Sequence, residues 1–242
     1  MVVRPGVVSA VRQLGGSLPF CGNYAAAANV LQFLPILKAR RQAHYISAPL
    51  TIFLTPPYYF PTMPTAFNIK TFSRIMIAGC CGSGKSTLAR RIGQYSDSPL
   101  IHLDQEYWQA GWVEPSTEDW RLKVTALAQQ DKWIMDGNYS GTWDLRLPRA
   151  ELVIYLRYPL LLVLYRAMKR IVTNYGKVRE DMAQGCPERF SLSFFHFILV
   201  CHFHRSHEHL RQLESLQSHQ TLMVFHSPKA LNRWISSFES PA

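Results

Sequence analysis

No aspartate or glutamate precedes Asp97, although the chain of 242 residues contains 16 acids. The first 70 positions carry six lysines or arginines and no acid, a block of +6, whereas the remainder sets 20 bases against 16 acids. Globular surfaces normally mix both signs, so the leader is compositionally foreign to the rest of the chain. Long apolar runs are also missing. Tyr24 to Leu37 and Tyr45 to Leu54 are the two apolar stretches of the leader; each falls short of the roughly 20 residues a spanning helix needs, and Pro35 and Pro49 interrupt them. That argues against a membrane span. Paired cysteine spacing is absent as well: Cys21, Cys80, Cys81, Cys186 and Cys201 are odd in number and match no metal pattern. Free thiols in a reducing compartment, the cytoplasm, are the expectation. Cys80 and Cys81 sit where a helix N-terminus lowers thiol pKa, which suggests oxidation sensitivity; inert packing is the favoured alternative.

Eight of the 15 prolines fall in the first 70 residues, several within Pro56 to Pro64, a spacing that precludes a regular helix or central strand. Three readings of residues 1–70 stand side by side. An acid-free, arginine-containing N-terminus resembles an organelle transit peptide, although serine is scarce. The segment also reads as a low-order extension, or as upstream sequence outside the working protein, with Met63 as the real start. The working domain is then 71–242.

The chemistry-bearing part of the chain begins with Gly79-Cys80-Cys81-Gly82-Ser83-Gly84-Lys85-Ser86-Thr87, which contains the spacing Gly-x4-Gly-Lys-Ser. The apolar run Ile75 to Ala78 precedes it and a helix-forming stretch, Leu88 to Gln94, comes after, the context that gives the motif meaning. A diphosphate carries more charge than one side chain can neutralise. Inward-turned backbone N–H groups at a helix N-terminus cradle it, Lys85 reaches the β and γ phosphates, and the Ser86 hydroxyl completes a Mg²⁺ shell. The plain alternative is a glycine-rich turn of similar appearance.

Downstream, apolar runs alternate with helical ones. Leu100 to Asp104, Lys132 to Gly137, Leu152 to Leu156 and Thr221 to Phe225 read as strands; Ser116 or Thr117 caps a helix reaching about Gln130, and helices are expected at Leu160 to Thr173, Ser191 to Leu216 and Lys229 to Phe238. Continuously apolar strands separated by helices imply a five-stranded parallel sheet covered on both faces, an α/β/α three-layer sandwich. Ligands of such sheets bind outside the carboxyl ends of the strands. Asp104 and Asp136 fall there, Asp136 as the acid that orients Mg²⁺ and Asp104 as the group that meets an acceptor; an N-cap or turn former is the bland reading of either. The aromatic stretch Tyr107 to Trp112 reads as a substrate wall.

Arg166, Lys169, Arg170, Lys177, Arg179 and Arg189 cluster around a glycine-containing segment, and about 170–189 is expected to act as a lid delivering arginines to the phosphates, with Arg166 and Arg170 acting in catalysis and Arg179 on the nucleotide. A solvated helix face is the alternative. His196, His202, His204, His207 and His209 lie among phenylalanines without a zinc spacing, which favours a structural or surface role over metal.

From Arg74 onward these blocks resemble the adenylate-kinase-like branch of P-loop kinases, most of all bacterial proteins labelled DNA topology modulation protein. The resemblance is carried by Arg74 to Gly79 with the phosphate loop, Ile101-His102-Leu103-Asp104, Gly111-Trp112, Trp133 to Ser140 and the run from Arg179 through Asp181-Met182 to Gly185-Cys186-Pro187-Glu188. It implies transfer of the γ-phosphoryl of ATP, with Mg²⁺, to a small-molecule or nucleotide acceptor; the competing reading is a nucleotide-binding regulator affecting DNA indirectly. The arginine that comes after Asp-Gly in adenylate kinases to grip an acceptor phosphate has no match in Asn138-Tyr139-Ser140, and Arg146 or Arg149 is the candidate substitute. No nucleic-acid-binding module is recognisable, so direct DNA binding is not expected.

Overall fold

The computed structural model describes residues 67–239. The low-order leader, Met63 and the leader's apolar stretches lie outside those residues, apart from 67–70. Strands β1 (Arg74–Gly79), β2 (Leu100–His102), β3 (Trp133–Asp136), β4 (Leu152–Leu156) and β5 (Thr221–Phe225) form one sheet in the order β2-β3-β1-β4-β5. All four pairings are parallel, with Ile77 opposite Asp136 on one side of β1 and Ile154 on the other. The sheet carries the phosphate loop at the end of its central strand.

Alternate strand residues feed two separate cores, because successive side chains point to opposite faces. Ile75, Ile77, Ile134 and Ile154 pack with Leu88 and Ile92 of α1 (Lys85–Gly93), Val163 and Ala167 of α5 (Leu160–Asn174), and Trp234 of α8 (Pro228–Glu239). Met76, Ala78, Met135 and Val153 pack with Trp120 and Val124 of α3 (Thr117–Ala128) and Trp143 of α4 (Trp143–Arg146). The three-layer α/β/α architecture results from that division. The Ser116 side chain caps α3 by accepting from the Asp119 amide at 3.0 Å.

Two elements differ from expectation. β2 ends at His102, and Asp104 belongs to a short helix, α2 (Leu103–Tyr107). The stretch expected as one helix from Ser191 to Leu216 is α6 (Leu192–Val200) and α7 (Ser206–Glu214) joined by a π-helical turn, Cys201–Arg205. Ile198 and Cys201 belong to one core and Leu210 and Leu213 to the other, so the segment changes layer at that turn. The inserted residue of a π turn rotates the buried stripe, a change of face that period counting does not register. Among the described residues no helix is long and apolar enough to cross a membrane.

Candidate active site

The phosphate loop is shaped by close backbone approach. Gly82 has φ +82°, and a Cβ there would stand 2.6 Å from the Val163 carbonyl oxygen; at Gly79, φ +144°, it would stand 2.6 Å from that of Leu156. Neither contact is tolerable, so glycine is obligatory at both positions. Gly79 therefore ends the strand and does not itself reach the cleft. The loop opens into α1 at Gly84, leaving the first amides of a nine-residue helix directed at the opening. Ser83 Oγ is buried with no hydrogen-bond partner among the described residues, a polar atom that a bound phosphate oxygen would satisfy.

A cleft of about 660 Å³ lies over the loop, lined by Gly82, Ser83, Gly84, Lys85, Ser86 and Thr87 from below and by Arg166, Arg170 and Arg179 from above. A second cavity of about 100 Å³ abuts it, with Trp108, Trp112, Tyr139, Phe194 and Phe197 on its walls. Both are lined by Cys81, Lys85, Asp104, Arg170 and Arg179. The expected site residues Lys85, Asp104, Arg170 and Arg179 thus converge on one junction, and the expected aromatic wall stands beside it.

Charge at the junction is finely opposed. Burial works against Lys85, but the surrounding Cys81, Asp136 and Asp104 outweigh it and hold its ammonium above the ordinary lysine value. Its Nζ donates to the Cys80 carbonyl at 3.2 Å. Burial and the charge of Asp136 raise the Asp104 carboxyl above the ordinary range, opposed by the Tyr139 hydroxyl, which donates to Oδ1 at 2.7 Å, and by Lys85 and Arg179. Burial likewise raises the Cys81 thiol, and the Cys201 hydrogen bond together with burial raises that of Cys80. The helix terminus does not produce low-pKa thiols, and the inert packing role fits both cysteines.

Asp136 lines neither cavity. It is buried behind the loop, its Oδ2 at 2.6 Å from His102 Nδ1. Burial disfavours the charged imidazole, yet the hydrogen bond and charge of Asp136 prevail and hold His102 above its ordinary value. Nearer the cleft, Ser86 and Asp104 are oxygen donors on the same wall, alongside Asp181. Burial opposes the Asp181 charge, but Arg179 and the Ser86 hydroxyl keep it below the usual carboxylate range. Among the described residues no three His, Cys, Asp or Glu side chains gather as a metal cluster. That donor set suits Mg²⁺, which takes one or two protein oxygens and fills its shell with phosphate and water.

The segment 170–189, expected as a lid, lines both cavities through Arg170 and Arg179. Glu188 clasps two arginines, Arg170 at 3.0 Å and Arg179 at 2.8 Å, while Arg179 also binds Asp181 at 2.8 Å. Arg166 donates to the Ser83 carbonyl at 3.3 Å and lies over the Tyr158 ring. The lid is tied to the aromatic loop through the Gly111 amide to the Gly185 carbonyl, 2.9 Å, and through Trp112 Nε1 to the Pro187 carbonyl, 3.2 Å.

Two candidate substitutes for the acceptor-binding arginine are corrected. Arg146 is fully buried and donates to the carbonyls of Gly137, Asn138 and Tyr139, so it braces the loop after β3 instead of meeting a ligand. Arg149 donates to the Gln129 carbonyl at 3.3 Å and lines neither cavity. Through Arg146 the chain holds Tyr139 at φ 27°, a left-handed backbone uncommon for a bulky residue, and Tyr139 in turn holds Asp104. His102, Tyr139 and Glu188 are the residues that sequence reasoning passed over; each stood inside a block that carries the kinase resemblance, without an assigned role. His209, one of the five histidines, is buried against Trp143 with Nδ1 at 3.3 Å from the Tyr155 hydroxyl, a packing role.

No family model and no curated protein matches the chain. Among solved structures it is similar to a deoxyadenosine kinase from M. mycoides with bound dCTP, at 13% identity and a TM-score of 0.38 over 67% of this chain and 96% of that one. It is also similar to a gluconokinase from Sinorhizobium meliloti, at 15% identity and a TM-score of 0.35 over 69% and 91% of the two chains. A third likeness is to a sugar kinase from Janibacter sp., at 16% identity and a TM-score of 0.34 over 69% and 94%.

Proposed function

We propose that the protein is an ATP-dependent phosphotransferase that moves the γ-phosphoryl group of ATP to the hydroxyl of a small acceptor. The observation that carries this reading is the junction: a phosphate-loop cleft and an aromatic cavity share Lys85, Asp104, Arg170 and Arg179. A donor in the first and an acceptor in the second meet where the cations are. Phosphoryl transfer needs little covalent chemistry from a protein; it needs positioning and charge stabilisation. Lys85 and the loop amides hold the β and γ phosphates, Arg166, Arg170 and Arg179 stabilise the charge developing on the transferred group, and the lid excludes water. Ser86 and Asp181 would hold Mg²⁺, which would supply further charge neutralisation on the phosphates. Asp136 acts at one remove, its carboxylate lending negative field to Lys85 and to the cation.

Asp104 accepts the hydroxyl proton. A carboxylate whose pKa lies above the usual range is a better-matched base than an ordinary one. Within the P-loop kinases, an adenylate-kinase-like assignment, with proteins labelled DNA topology modulation protein as its nearest resemblance, is supported by the sequence blocks from Arg74 to Glu188 and by the phosphate loop on a central parallel strand.

The test is ADP release by the full chain, with binding of a fluorescent ATP analogue measured in parallel. Lys85→Ala is expected to lower turnover about a hundredfold or more, the scale of losing one transition-state donor. Unchanged turnover would remove the phosphate-loop assignment. Tight analogue binding without ADP release under any acceptor would favour a nucleotide-binding regulator.

A further inference from the structure

The aromatic cavity has dimensions and charges that select an acceptor class. We infer that it takes a hydroxylated molecule of about single-ring size that carries no phosphate group. The inference rests on the phosphotransferase reading and specifies its acceptor.

Volume comes first. The aromatic cavity holds about 100 Å³ and shares its inner residues with the cleft over the phosphate loop; a single ring takes a cavity of about 150 Å³, so it fills the aromatic part and reaches the junction. A nucleoside monophosphate would have to extend through the junction into the space that the donor's phosphates take. The walls are flat and apolar: Trp108 and Trp112 meet edge to face at 5.2 Å, and Phe194 and Phe197 stand with them around the cavity. Such walls grip a ring face by burial and edge-to-face contact.

Charge is the second argument. A phosphate-bearing acceptor needs a guanidinium besides those that serve the donor's phosphates, since arginine recognises phosphate through paired donors. Arg170 and Arg179 serve the donor, and they are already shared with Glu188 and Asp181. Arg189 also lines the cavity, and its guanidinium lies over the Trp112 ring at 5.2 Å, on the wall away from Asp104 and Lys85. Arg146, in the region where an acceptor clamp would be sought, is sealed in the core.

Orientation is the third. Asp104 is the carboxylate at the junction, fixed by Tyr139, so the acceptor hydroxyl points there while its ring lies among the aromatics. In the transfer step the hydroxyl oxygen bonds to the γ-phosphorus as the bond from that phosphorus to the β–γ bridging oxygen breaks. The hydroxyl proton passes to Asp104, and ADP leaves with the bridging oxygen.

The experiment uses the full chain with para-fluorobenzyl alcohol as the ring-sized probe, and glycerol and AMP as contrasts. Fluorine NMR line broadening and quenching of tryptophan emission report binding without turnover; ADP release reports transfer. The probe should bind, and it should raise ADP release at least tenfold over the rate in water alone, with glycerol and AMP leaving that rate unchanged. Trp112→Ala should weaken probe binding about tenfold, and Trp112→Phe, which keeps a ring and guards against misfolding, should restore most of it. Stimulation by AMP without stimulation by the probe would overturn the inference. So would a probe that fails to bind while the ATP analogue still does, a result that leaves the donor site standing. Failure of the analogue itself to bind would instead remove the underlying phosphotransferase reading.

Discussion

Burial and the charge of Asp136 hold the Asp104 carboxyl above the ordinary carboxylate range, so the folded chain binds that proton more tightly than the unfolded chain does. By linkage, the favourable contribution is complete below about pH 4, the unfolded value, and is lost as pH rises through the raised folded value. At neutral pH the ionised group therefore costs stability, and the proposed role as base requires it ionised. Asp104→Asn should raise the melting temperature at pH 7 while lowering phosphoryl transfer by two orders of magnitude or more, on the scale of general-base loss. The melting-temperature gain should fade as pH drops toward about 4, where the native carboxyl is protonated in both states. A variant that melts lower at pH 7 would show that Asp104 stabilises the fold as an anion, contrary to the burial cost. Sequence singled out both acids, because an acid closing an apolar run beside a phosphate loop is an unusual choice, although Asp104 falls in α2 and only Asp136 ends its strand. Which of them faces the cleft was not. His102 claims Asp136 from a neighbouring strand at 2.6 Å, and a pairing across 34 positions leaves no local pattern.

At the scale of elements, the segment 170–189 is held in place by charge pairing. Glu188 is only 6% exposed and neutralises two guanidiniums that both face the cleft. Removing one partner of a largely buried pair leaves uncompensated charge, a cost of about 3–5 kcal/mol in full burial; the partial exposure of Arg170 and Arg179 reduces it. Glu188→Gln should lower the melting temperature by several degrees, at about 2–4 °C per kcal/mol for a domain of this size. Saturating Mg·ATP should recover more in the variant than in the parent, because the triphosphate supplies the missing negative charge. Equal ATP-induced shifts in thermal melts would contradict that. The basic residues of this segment were visible as a cluster, and the acids interleaved with them at Asp181 and Glu188 were the unused signal that the arginines are paired in advance. The strands and α3 were legible for local reasons, apolar runs and a Ser116 cap. The π turn at Cys201–Arg205 was not, since its cause is the change of core between Ile198 and Leu210.

At the scale of the whole molecule, two cores on opposite faces of one sheet fix the phosphate loop, while the junction between cavities is assembled from α1, α2, α5 and the lid. Composition drew the boundary between leader and domain at residue 71, because charge and proline content change near there. Packing extends the domain further back. Ile69 is 2% exposed and belongs to the core that contains Leu88, Trp234 and Ile235. Phe67 stacks on Phe72 with ring centroids 5.5 Å apart and meets Trp234 edge to face at 5.2 Å. The Asn68 side chain caps the short turn between them by accepting from the Lys70 amide at 3.0 Å. Burying Ile69 contributes roughly 1.5–3 kcal/mol and the partly buried Phe67 less, together a sizeable share of a stability of about 5–15 kcal/mol. A chain beginning at residue 67 should therefore melt well above one beginning at 73, which loses Phe67, Ile69 and Phe72 and exposes the Trp234 face. Calorimetry on the two truncations decides the point, with Ile69→Ala in the longer form as the control: that single change should account for about 2–5 kcal/mol. If the two truncations melt together, residues 67–72 lie on the domain without supporting it, and the compositional boundary is also the energetic one.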